Sequence, residues 1–191
     1  MRGSGTADPA DSRIAAAFDA VPRESFLPPD QRRYAGVDRA LPLGYDVTNS
    51  QPSTVRAMLA LLGVEPGDRV LDVGCGSGWS TALLAHLTGP EGHVVGVELV
   101  PEVLTACRTS LGAQVELHQI ELHQADPAVL GWPAGAPYDR ILVSADAEVL
   151  PMELVRQLVE GGVLVGPVGG EMLRVERHGR YVFVPLRTLG P

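Results

Sequence analysis

The sequence predicts an α/β fold: a Rossmann-like, doubly wound and mostly parallel sheet with helices on both faces and an antiparallel C-terminal edge. Three observations predict it. After residue 63, short β-branched runs alternate with helical runs, which is the pattern of parallel strands joined by crossover helices. A glycine-rich turn follows the first of these strands. The segment 171–187 has the alternation of two strands around His178-Gly179, a hairpin at the edge of the sheet.

Two helices are expected ahead of the sheet. The segment RIAAAFDAV (13–21) has the spacing of a short amphipathic helix, and PSTVRAMLALLGV (52–64) forms a second helix that Gly63 ends. The segment between them carries several prolines and little periodicity, so we expect an ordered, irregular arm. The apolar face of the second helix is predicted to consist of Val55, Met58, Leu59 and Leu62.

The rest of the chain alternates strands and helices. Strands are predicted at RVLDVG (69–74), HVVGVEL (93–99), QVELHQ (114–119), RILVSA (140–145) and GVLVGPV (162–168). Helices are predicted at WSTALLAHL (79–87), PEVLTACRTSL (101–111) and MELVRQLV (152–159). We therefore expect a flexible tail over 1–9 and one domain over 10–191. Its helical and irregular arm covers 10–63 and its cofactor-binding core covers 64–191.

Composition and charge exclude several classes of function. The formal net charge is −8, and a nucleic-acid-binding surface is basic, so we expect no nucleic-acid partner. No apolar run approaches the ~20 residues of a membrane span, and the first residues lack a secretory signal, so we expect no membrane partner. Cys75 and Cys107 do not make a disulfide framework, which favours the cytoplasm. The histidine spacing predicts no metal site, and a monomer is favoured.

The segment VLDVGCGSGWS is the most informative turn of the chain. A strand runs into Asp72, and Gly74, Gly76 and Gly78 then let the backbone bend and let a ligand approach the peptide planes. The dinucleotide fingerprint needs a glycine where this chain has Trp79, so NAD or FAD is disfavoured. No phosphate-binding lysine follows the glycines, so the turn is not a P-loop.

An acidic residue, Glu98, closes the next strand. Its carboxylate is well placed to accept hydrogen bonds from both hydroxyls of a ribose. A nucleoside without phosphates suits the site best, and S-adenosylmethionine is such a ligand. Asp72 is predicted to face its ammonium group, directly or through water. The alternative is a glycine turn with no ligand. We expect Cys75 to fill the turn as a small residue and not to act as a nucleophile. We expect Trp79 to pack in the protein, with stacking on the cofactor as its alternative.

The N-terminal arm adds a more specific signal. The segments VPRESFLPP, DRALPLGY, TNSQPSTV, VLDVGCGSGW, GVEL, APYDRILVSA, GGVLVGPVGG and FVPL follow one another from Val21 to Leu186. Together they resemble the protein-L-isoaspartate (D-aspartate) O-methyltransferase family of class I S-adenosylmethionine-dependent methyltransferases. The resemblance implies methyl transfer to the free carboxylate of L-isoaspartyl or D-aspartyl residues, which initiates repair through a succinimide. Damaged proteins or peptides that contain such residues are the expected partners.

This reaction needs few catalytic groups. A carboxylate with a reference pKa of about 3.9 is ionised at neutral pH and requires no general base. The resemblance places Ser50, in TNSQPS, at the active site in contact with substrate and cofactor. Thr48 and Gln51 beside it are predicted to bind substrate. The structural alternative is that Ser50 or Asn49 is the N-cap of the following helix.

The chain departs from the family pattern around two predicted site segments. Asn49 stands where family members usually have a β-branched apolar residue. Ala125 and Pro127 replace two glycines that flank an acid near the adenine in the family. Asp126 keeps the acid, and we assign it the adenine role.

A further departure follows the fourth strand, where Asp146 and Glu148 stand in a segment that is mostly alanine-rich in the family. We expect solvated loop residues, although acids at this edge could instead repel an anionic substrate. The departures keep two alternatives open: a specialised methyltransferase of one peptide carboxylate in a modified-peptide pathway, and a cofactor-binding relative without catalysis. A nicotinamide oxidoreductase is disfavoured by Trp79.

Overall fold

The structure consists of an irregular N-terminal arm packed against a helix-covered sheet. The computed structural model describes residues 9–112 and 119–179. In these ranges the helices are α1 (Pro9–Ala20), α2 (Pro52–Leu62), α3 (Trp79–Thr88), α4 (Pro101–Leu111) and α5 (Met152–Arg156). The strands are β1 (Leu41–Gly44), β2 (Val47–Asn49), β3 (Arg69–Val73), β4 (His93–Glu98), β5 (Ile120–Gln124), β6 (Tyr138–Val143), β7 (Leu158–Val168) and β8 (Glu171–Glu176). None of the described helices is long and apolar enough to span a membrane.

The main sheet, within the described ranges, has the strand order β5-β4-β3-β6-β7-β8. Neighbouring strands are parallel except for β7 and β8, which are antiparallel. The chain runs from β3 outward to β4 and β5 and then places β6 on the opposite side of β3. The strand order therefore reverses between β3 and β6, where open α/β sheets bind ligands beyond the carboxyl ends of their strands. The predicted fold class is confirmed.

The local sequence of α2 explains its bounds. Pro52 occupies the first turn, where a missing N–H leaves no helical bond unmade, and Gly63 ends the helix in a left-handed conformation with φ +60°. The predicted apolar face is buried: Val55, Met58, Leu59 and Leu62. The helix α4 likewise covers the predicted residues 101–111.

Several element boundaries differ from the prediction. The helix α1 begins at Pro9, inside the predicted tail and four residues before the predicted start at Arg13, and β7 begins at Leu158, four residues before Gly162.

The third predicted strand, 114–119, lies outside the described residues except for Gln119, and the structure has a strand, β5, at Ile120–Gln124, where none was predicted. The helix α5 ends earlier than predicted, at Arg156. It ends there because β7 begins at Leu158 and pairs at that residue with Tyr138 of β6.

The antiparallel edge is formed by β7 and β8. These strands are joined at Gly169-Gly170, and Val168 pairs with Glu171 next to the turn. The predicted hairpin turn at His178-Gly179 lies at the end of the described residues. Its second strand and the FVPL segment lie outside them.

The arm contains a two-stranded hairpin, β1 and β2, that periodicity does not predict. Its strands are four and three residues long, and their pairing shifts register between Pro42 and Gly44. Tyr45 and Asp46 form its turn with φ of +54° and +58°, which is uncommon for residues other than glycine. The hairpin matters because β2 leads directly into Ser50.

Apolar strand residues alternate between two cores, one on each face of the sheet. Val70 and Val94 pack with α1, α2, α3 and α4 on one face. Leu71 and Val95 pack with Tyr138 and α5 on the other. This alternation follows from the two-residue period of a strand, and it leaves both faces of the sheet covered, as a parallel sheet requires.

The arm is held to the sheet by contacts around Trp79, the first residue of α3. The indole N–H of Trp79 donates to the Val21 carbonyl oxygen at 3.1 Å. Its ring meets Phe18 edge to face, with centroids 5.4 Å apart. Trp79 is buried and packs here as predicted, and it also lines a cavity at the carboxyl ends of β3 and β6, so the alternative of stacking on a ligand stays open at this ring. The end of α1 therefore lies directly beside the start of α3, next to the glycine-rich turn.

Candidate active site

A cavity of about 420 Å³ opens at the carboxyl ends of β3 and β6, between the sheet and the arm. Four parts of the chain form most of its wall: β2 with Ser50, the glycine loop (residues 74–78) except Gly78, Glu98–Leu99 after β4, and Ser144–Ala145 after β6. Val55 and Met58 of α2 add an apolar wall. Because the cavity lies where the strand order reverses, it is the candidate ligand site.

Two of the three predicted loop glycines line the cavity. Gly74 and Gly76 have φ of +75° and +55°, a region that side chains disfavour. Gly78 has a packing role instead, because a Cβ there would lie 2.8 Å from Cys107 Sγ and 3.1 Å from Leu111 Cγ. Gly78 therefore lets the start of α3 pack closely on α4.

The Glu98 carboxylate contacts the glycine loop and lines the cavity. Its Oε2 accepts the Gly76 N–H at 3.0 Å, and its Oε1 accepts the Val100 N–H at 2.9 Å. Each carboxylate oxygen has two lone pairs, so both oxygens keep acceptor capacity for ribose hydroxyls. The acid that the sequence predicts for ribose binding also orients the loop.

The Asp72 carboxylate is fully buried behind the glycine loop. Its Oδ2 accepts hydrogen bonds from the Ser80 and Thr81 hydroxyls, both at 2.7 Å. Its Oδ1 has no hydrogen-bond partner among the described residues. Asp72 does not line the cavity, although the next residue, Val73, does. The contact of the unpartnered oxygen of Asp72 with an ammonium group, directly or through water, stays a prediction.

Burial raises the pKa of Asp72 to about 6, against the opposing effect of the Ser80 and Thr81 hydroxyls. The negative charge of Glu98 raises this pKa further, and the nearby Ser144 hydroxyl lowers it without making a hydrogen bond of normal geometry to Oδ1. The ionised carboxylate is therefore costly in the absence of a cation. A bound cation would offset that cost.

Thr48 and Ser50 line the cavity, whereas Gln51 does not. The Ser50 hydroxyl makes no hydrogen bond to the described part of the protein, so it is available to a ligand. The Gln51 amide Nε2 donates to Asp38 Oδ2 at 3.1 Å and to Ser53 Oγ at 2.9 Å. The structure thus brings two of the three predicted arm residues to the cavity, and it places Gln51 on the outer side of the helix start.

The N-terminus of α2 is capped by Asp38 and not by Ser50 or Asn49. The residue before the helix is Gln51, and its side chain makes no capping bond. Asp38 Oδ1 instead accepts the Ser53 N–H at 2.9 Å. This bond, with hydrogen bonds from the Gln51 and Ser53 side chains, lowers the pKa of Asp38. The capping alternative for Ser50 and Asn49 is therefore wrong.

Asp126 does not line the cavity. It is exposed, and its Oδ1 accepts the Ala128 N–H at 2.9 Å within a turn. The residue before it lies closer to the site, since the Ala125 N–H donates to the Glu98 carbonyl oxygen at 2.9 Å. The adenine contact of Asp126 stays a prediction.

Asp146 and Glu148 are exposed and do not line the cavity. Asp146 Oδ1 accepts the Gly170 N–H at 3.2 Å, next to the turn between β7 and β8. Both acids are solvated loop residues, as expected. They place no carboxylate in the wall of the cavity.

Cys75 lines the cavity but is not arranged as a nucleophile. Its Sγ lies 4.0 Å from Cys107 Sγ, and both thiols are free and buried. The contact with Cys107 and burial raise the pKa of Cys75 well above its usual value, which disfavours the reactive thiolate. Cys75 fills the turn, as predicted.

Sequence reasoning missed several polar residues that build the site. Ser80 and Thr81 hold Asp72, and the signal for them was two hydroxyls directly after the glycine loop. Ser144 lines the cavity and could have been identified from its position after a buried strand. Arg23, a buried charged residue of the arm, donates to the carbonyl oxygen of Ser50 at 2.9 Å. In the sequence, the only indication of a role for Arg23 was its place in the motif VPRESF.

Comparison with known proteins gives a consistent family. The sequence matches the protein-L-isoaspartate(D-aspartate) O-methyltransferase (PCMT) family over residues 6–182. A protein-L-isoaspartate O-methyltransferase of Anaeromyxobacter dehalogenans (strain 2CP-C) is 45% identical over 196 residues, covering 95% of this chain and 92% of the relative. One of Methanopyrus kandleri is 40% identical, covering 92% of this chain and 83% of the relative.

Solved structures agree with this result. A protein-L-isoaspartate O-methyltransferase structure has a TM-score of 0.77 at 27% identity, and the match covers 88% of this chain and 56% of that chain. A second structure, from Plasmodium falciparum in complex with S-adenosyl-L-homocysteine, also has a TM-score of 0.77. It is 21% identical, over 91% of this chain and 84% of that chain, so its likeness concerns the fold alone. Because the family match spans most of its length, the chain belongs to the protein-L-isoaspartate(D-aspartate) O-methyltransferase family.

Proposed function

We propose that this protein transfers the methyl group of S-adenosylmethionine to the free carboxylate of L-isoaspartyl or D-aspartyl residues in damaged proteins and peptides, and so initiates their repair. One observation carries the proposal. A single cavity is lined by the loop glycines Gly74 and Gly76 with Glu98, and also by Thr48 and Ser50 of the arm. A methyl donor and an acceptor carboxylate bound in the same cavity can be held for direct transfer.

Family membership confirms the predicted enzyme class, the S-adenosylmethionine cofactor and the isoaspartyl reaction. The roles of individual residues belong to the proposal. They are supported by the shared cavity, by the carboxylate of Glu98 at its wall and by the Ser50 hydroxyl, which has no partner in the described residues.

The residues at the cavity fit this cofactor. Glu98 would accept the ribose hydroxyls, and the backbone at Gly74 and Gly76 would admit the ligand without a clash from side chains. The unpartnered Oδ1 of Asp72 would balance the charge of the ammonium group. When bound, the cofactor supplies a methyl group on a sulfonium, whose carbon–sulfur bond breaks as the carbon–oxygen bond to the carboxylate forms.

The protein's own task is to position the carboxylate and keep water out. The carboxylate is already ionised at neutral pH, so no residue has to remove a proton. The Ser50 and Thr48 hydroxyls are the donors that would hold it, because the first-turn N–H of Ser53 is already bound to Asp38. Val55 and Met58 provide an apolar wall. Alignment of this kind is worth roughly 7–11 kcal/mol of the barrier.

A panel of unrelated peptides tests the repair function. Each sequence would be offered in an isoaspartyl and an aspartyl form, and methyl ester formation would be followed by mass spectrometry. A repair enzyme should methylate many isoaspartyl sequences with similar efficiency and leave the aspartyl forms unchanged. Activity on one sequence only would contradict general repair and support the specialised peptide methyltransferase.

Further expectations belong to the same proposal. The chain would form one domain over 10–191, with an arm over 10–63 and a cofactor-binding core over 64–191. Its partners would be isoaspartyl proteins or peptides and not nucleic acid or membrane, which the net charge of −8 supports in the case of nucleic acid. The protein would act as a monomer in the cytoplasm.

A further inference from the structure

Arg23 is a buried residue of the arm, and its guanidinium donates hydrogen bonds to several other segments of the arm. It donates to five carbonyl oxygens at 2.8–3.3 Å, those of Ala35, Val37, Arg39, Asn49 and Ser50. The ring of Trp79 lies 5.4 Å from its Cζ atom. Burial lowers the pKa of Arg23 and the charge of Asp38 opposes that effect, but a guanidinium remains a pure donor.

The Asn49 side chain connects this guanidinium to the glycine loop. Its Oδ1 accepts from Arg23 Nε at 2.6 Å, and its Nδ2 donates to Ser77 Oγ at 2.9 Å. All three residues are buried. Because Arg23 can only donate, the amide oxygen has to face Arg23 and the amide nitrogen has to face Ser77. The orientation of the Asn49 amide group is therefore determined by its two hydrogen-bond partners.

This link joins the two sides of the cavity. On the arm side, Asn49 stands between Thr48 and Ser50, and all three residues line the cavity. On the loop side, Ser77 follows Gly76, whose N–H is bound to the Glu98 carboxylate. An apolar side chain at position 49 makes neither hydrogen bond and leaves buried polar groups without partners.

We infer that Asn49 is a positioning residue that holds the arm segment Thr48–Ser50 in register with the glycine loop. It acts through Ser77 on the cofactor side and through Arg23 on the arm side. The inference rests on the proposed function for the identity of the cofactor and of the peptide substrate. A merely structural role for Asn49 would stabilise the fold without affecting either ligand.

A double-mutant cycle tests the inference. Asn49→Val replaces the amide with an apolar β-branched side chain, Ser77→Ala removes the other end of the link, and both are combined. Thr54→Val, at an exposed position of α2 outside the cavity wall, is the control. Calorimetry measures the Kd of S-adenosylhomocysteine, and steady-state kinetics measure kcat and KM for an isoaspartyl peptide.

We expect Asn49→Val, which loses the hydrogen bonds to both Arg23 and Ser77, to raise the Kd of S-adenosylhomocysteine and the KM of the peptide by about fivefold or more each, since a single hydrogen bond contributes about 1 kcal/mol. The double variant should bind no worse than the weaker single variant, because both substitutions break the same link. Asn49→Asp, which still accepts from Arg23 and can accept from the Ser77 hydroxyl, should restore most of the affinity. Thr54→Val should match the wild type.

The outcomes separate this inference from the proposed function. Losses that multiply in the double variant, or a lower melting temperature with unchanged Kd and KM, would overturn the positioning role. If Asn49→Val does not fold, Asn49→Thr, which is too short to contact Arg23 and Ser77 together, replaces it in the cycle. A wild-type protein that binds S-adenosylhomocysteine but methylates no isoaspartyl peptide would overturn the proposed function, while the Kd cycle still decides on Asn49. A wild type that does not bind S-adenosylhomocysteine would overturn both.

Discussion

The Glu98 carboxylate accepts the Gly76 N–H at 3.0 Å, so the end of β4 is bonded to the glycine loop that follows β3. The same carboxylate lines the cavity. One acid therefore shapes the loop and faces the ligand. The sequence predicts only the second of these roles, because the bond to Gly76 joins residues from two different strand ends.

Glu98→Ala should weaken S-adenosylmethionine binding by more than tenfold, since hydrogen bonds to a charged acceptor contribute roughly 1.5–3 kcal/mol. Glu98→Gln, which keeps one acceptor oxygen, should lose less. Isothermal titration of both variants measures the effect, with circular dichroism as the control for folding. Unchanged affinity in a folded Glu98→Ala protein would show that the ribose assignment is wrong.

Ser50→Ala should lower turnover much more than cofactor affinity, because the hydroxyl lines the cavity and does not cap α2. Asp38→Ala is the matched control, since Asp38 does cap the helix through the Ser53 N–H. It should lower the melting temperature and largely preserve turnover. The opposite pattern, a lower melting temperature with intact turnover in Ser50→Ala, would make Ser50 a structural residue.

Asp72 should make stability depend on pH. Its pKa is about 6 in the folded protein because it is buried, against 3.8 as the ordinary value. The folded state therefore holds the proton more tightly, and the contribution to stability is full below about pH 4 and lost as the pH rises through about 6. Asp72→Asn has no such titration, so its melting temperature relative to wild type should rise between these pH values. Differential scanning calorimetry measures both melting temperatures. If they change in parallel with pH in the wild type and in Asp72→Asn, Asp72 does not make this contribution to stability.

The same carboxylate should couple ligand binding to pH. An ammonium group near Asp72 favours the ionised form, so binding should release the proton that the buried acid holds at low pH. The affinity for S-adenosylhomocysteine should therefore increase as the pH is raised through about 6 in the wild type and stay flat in Asp72→Asn. A pH-independent wild-type affinity would place the ammonium group away from Asp72.

Gly78→Ala should destabilise the protein more than Gly74→Ala. Both glycines have positive φ, but only the added Cβ at position 78 would meet Cys107 Sγ at 2.8 Å, whereas the nearest atom at position 74 is 4.0 Å away. Overpacking of this kind costs about 1–3 kcal/mol. Chemical denaturation gives the two unfolding free energies, and equal losses would refute the packing role of Gly78.

Features that depend on local sequence could be predicted. The ends of α2 follow from Pro52 and Gly63, and the span of α4 follows from Pro101 and its apolar spacing. The glycine loop, with a strand before it and a helix after it, is likewise a local pattern. These signals identify elements and the place of the ligand cavity without any long-range contact.

Features that depend on distant contacts could not be predicted. Asn49 meets Arg23 and Ser77, which are 26 and 28 residues away, and Asp38 caps a helix through an N–H 15 residues later. The Gln51 side chain likewise donates to Asp38, a residue 13 positions earlier that local sequence did not indicate as its partner. The strand β5 also depends on a distant contact, because Ile120–Gln124 is held by its pairing with β4.

The central claim is tested most directly by methyl transfer from labelled S-adenosylmethionine to an isoaspartyl peptide, with the same sequence containing normal aspartate as the control. We expect label in the isoaspartyl peptide alone. Label in neither peptide, from a protein that still binds the cofactor, would contradict the isoaspartyl activity.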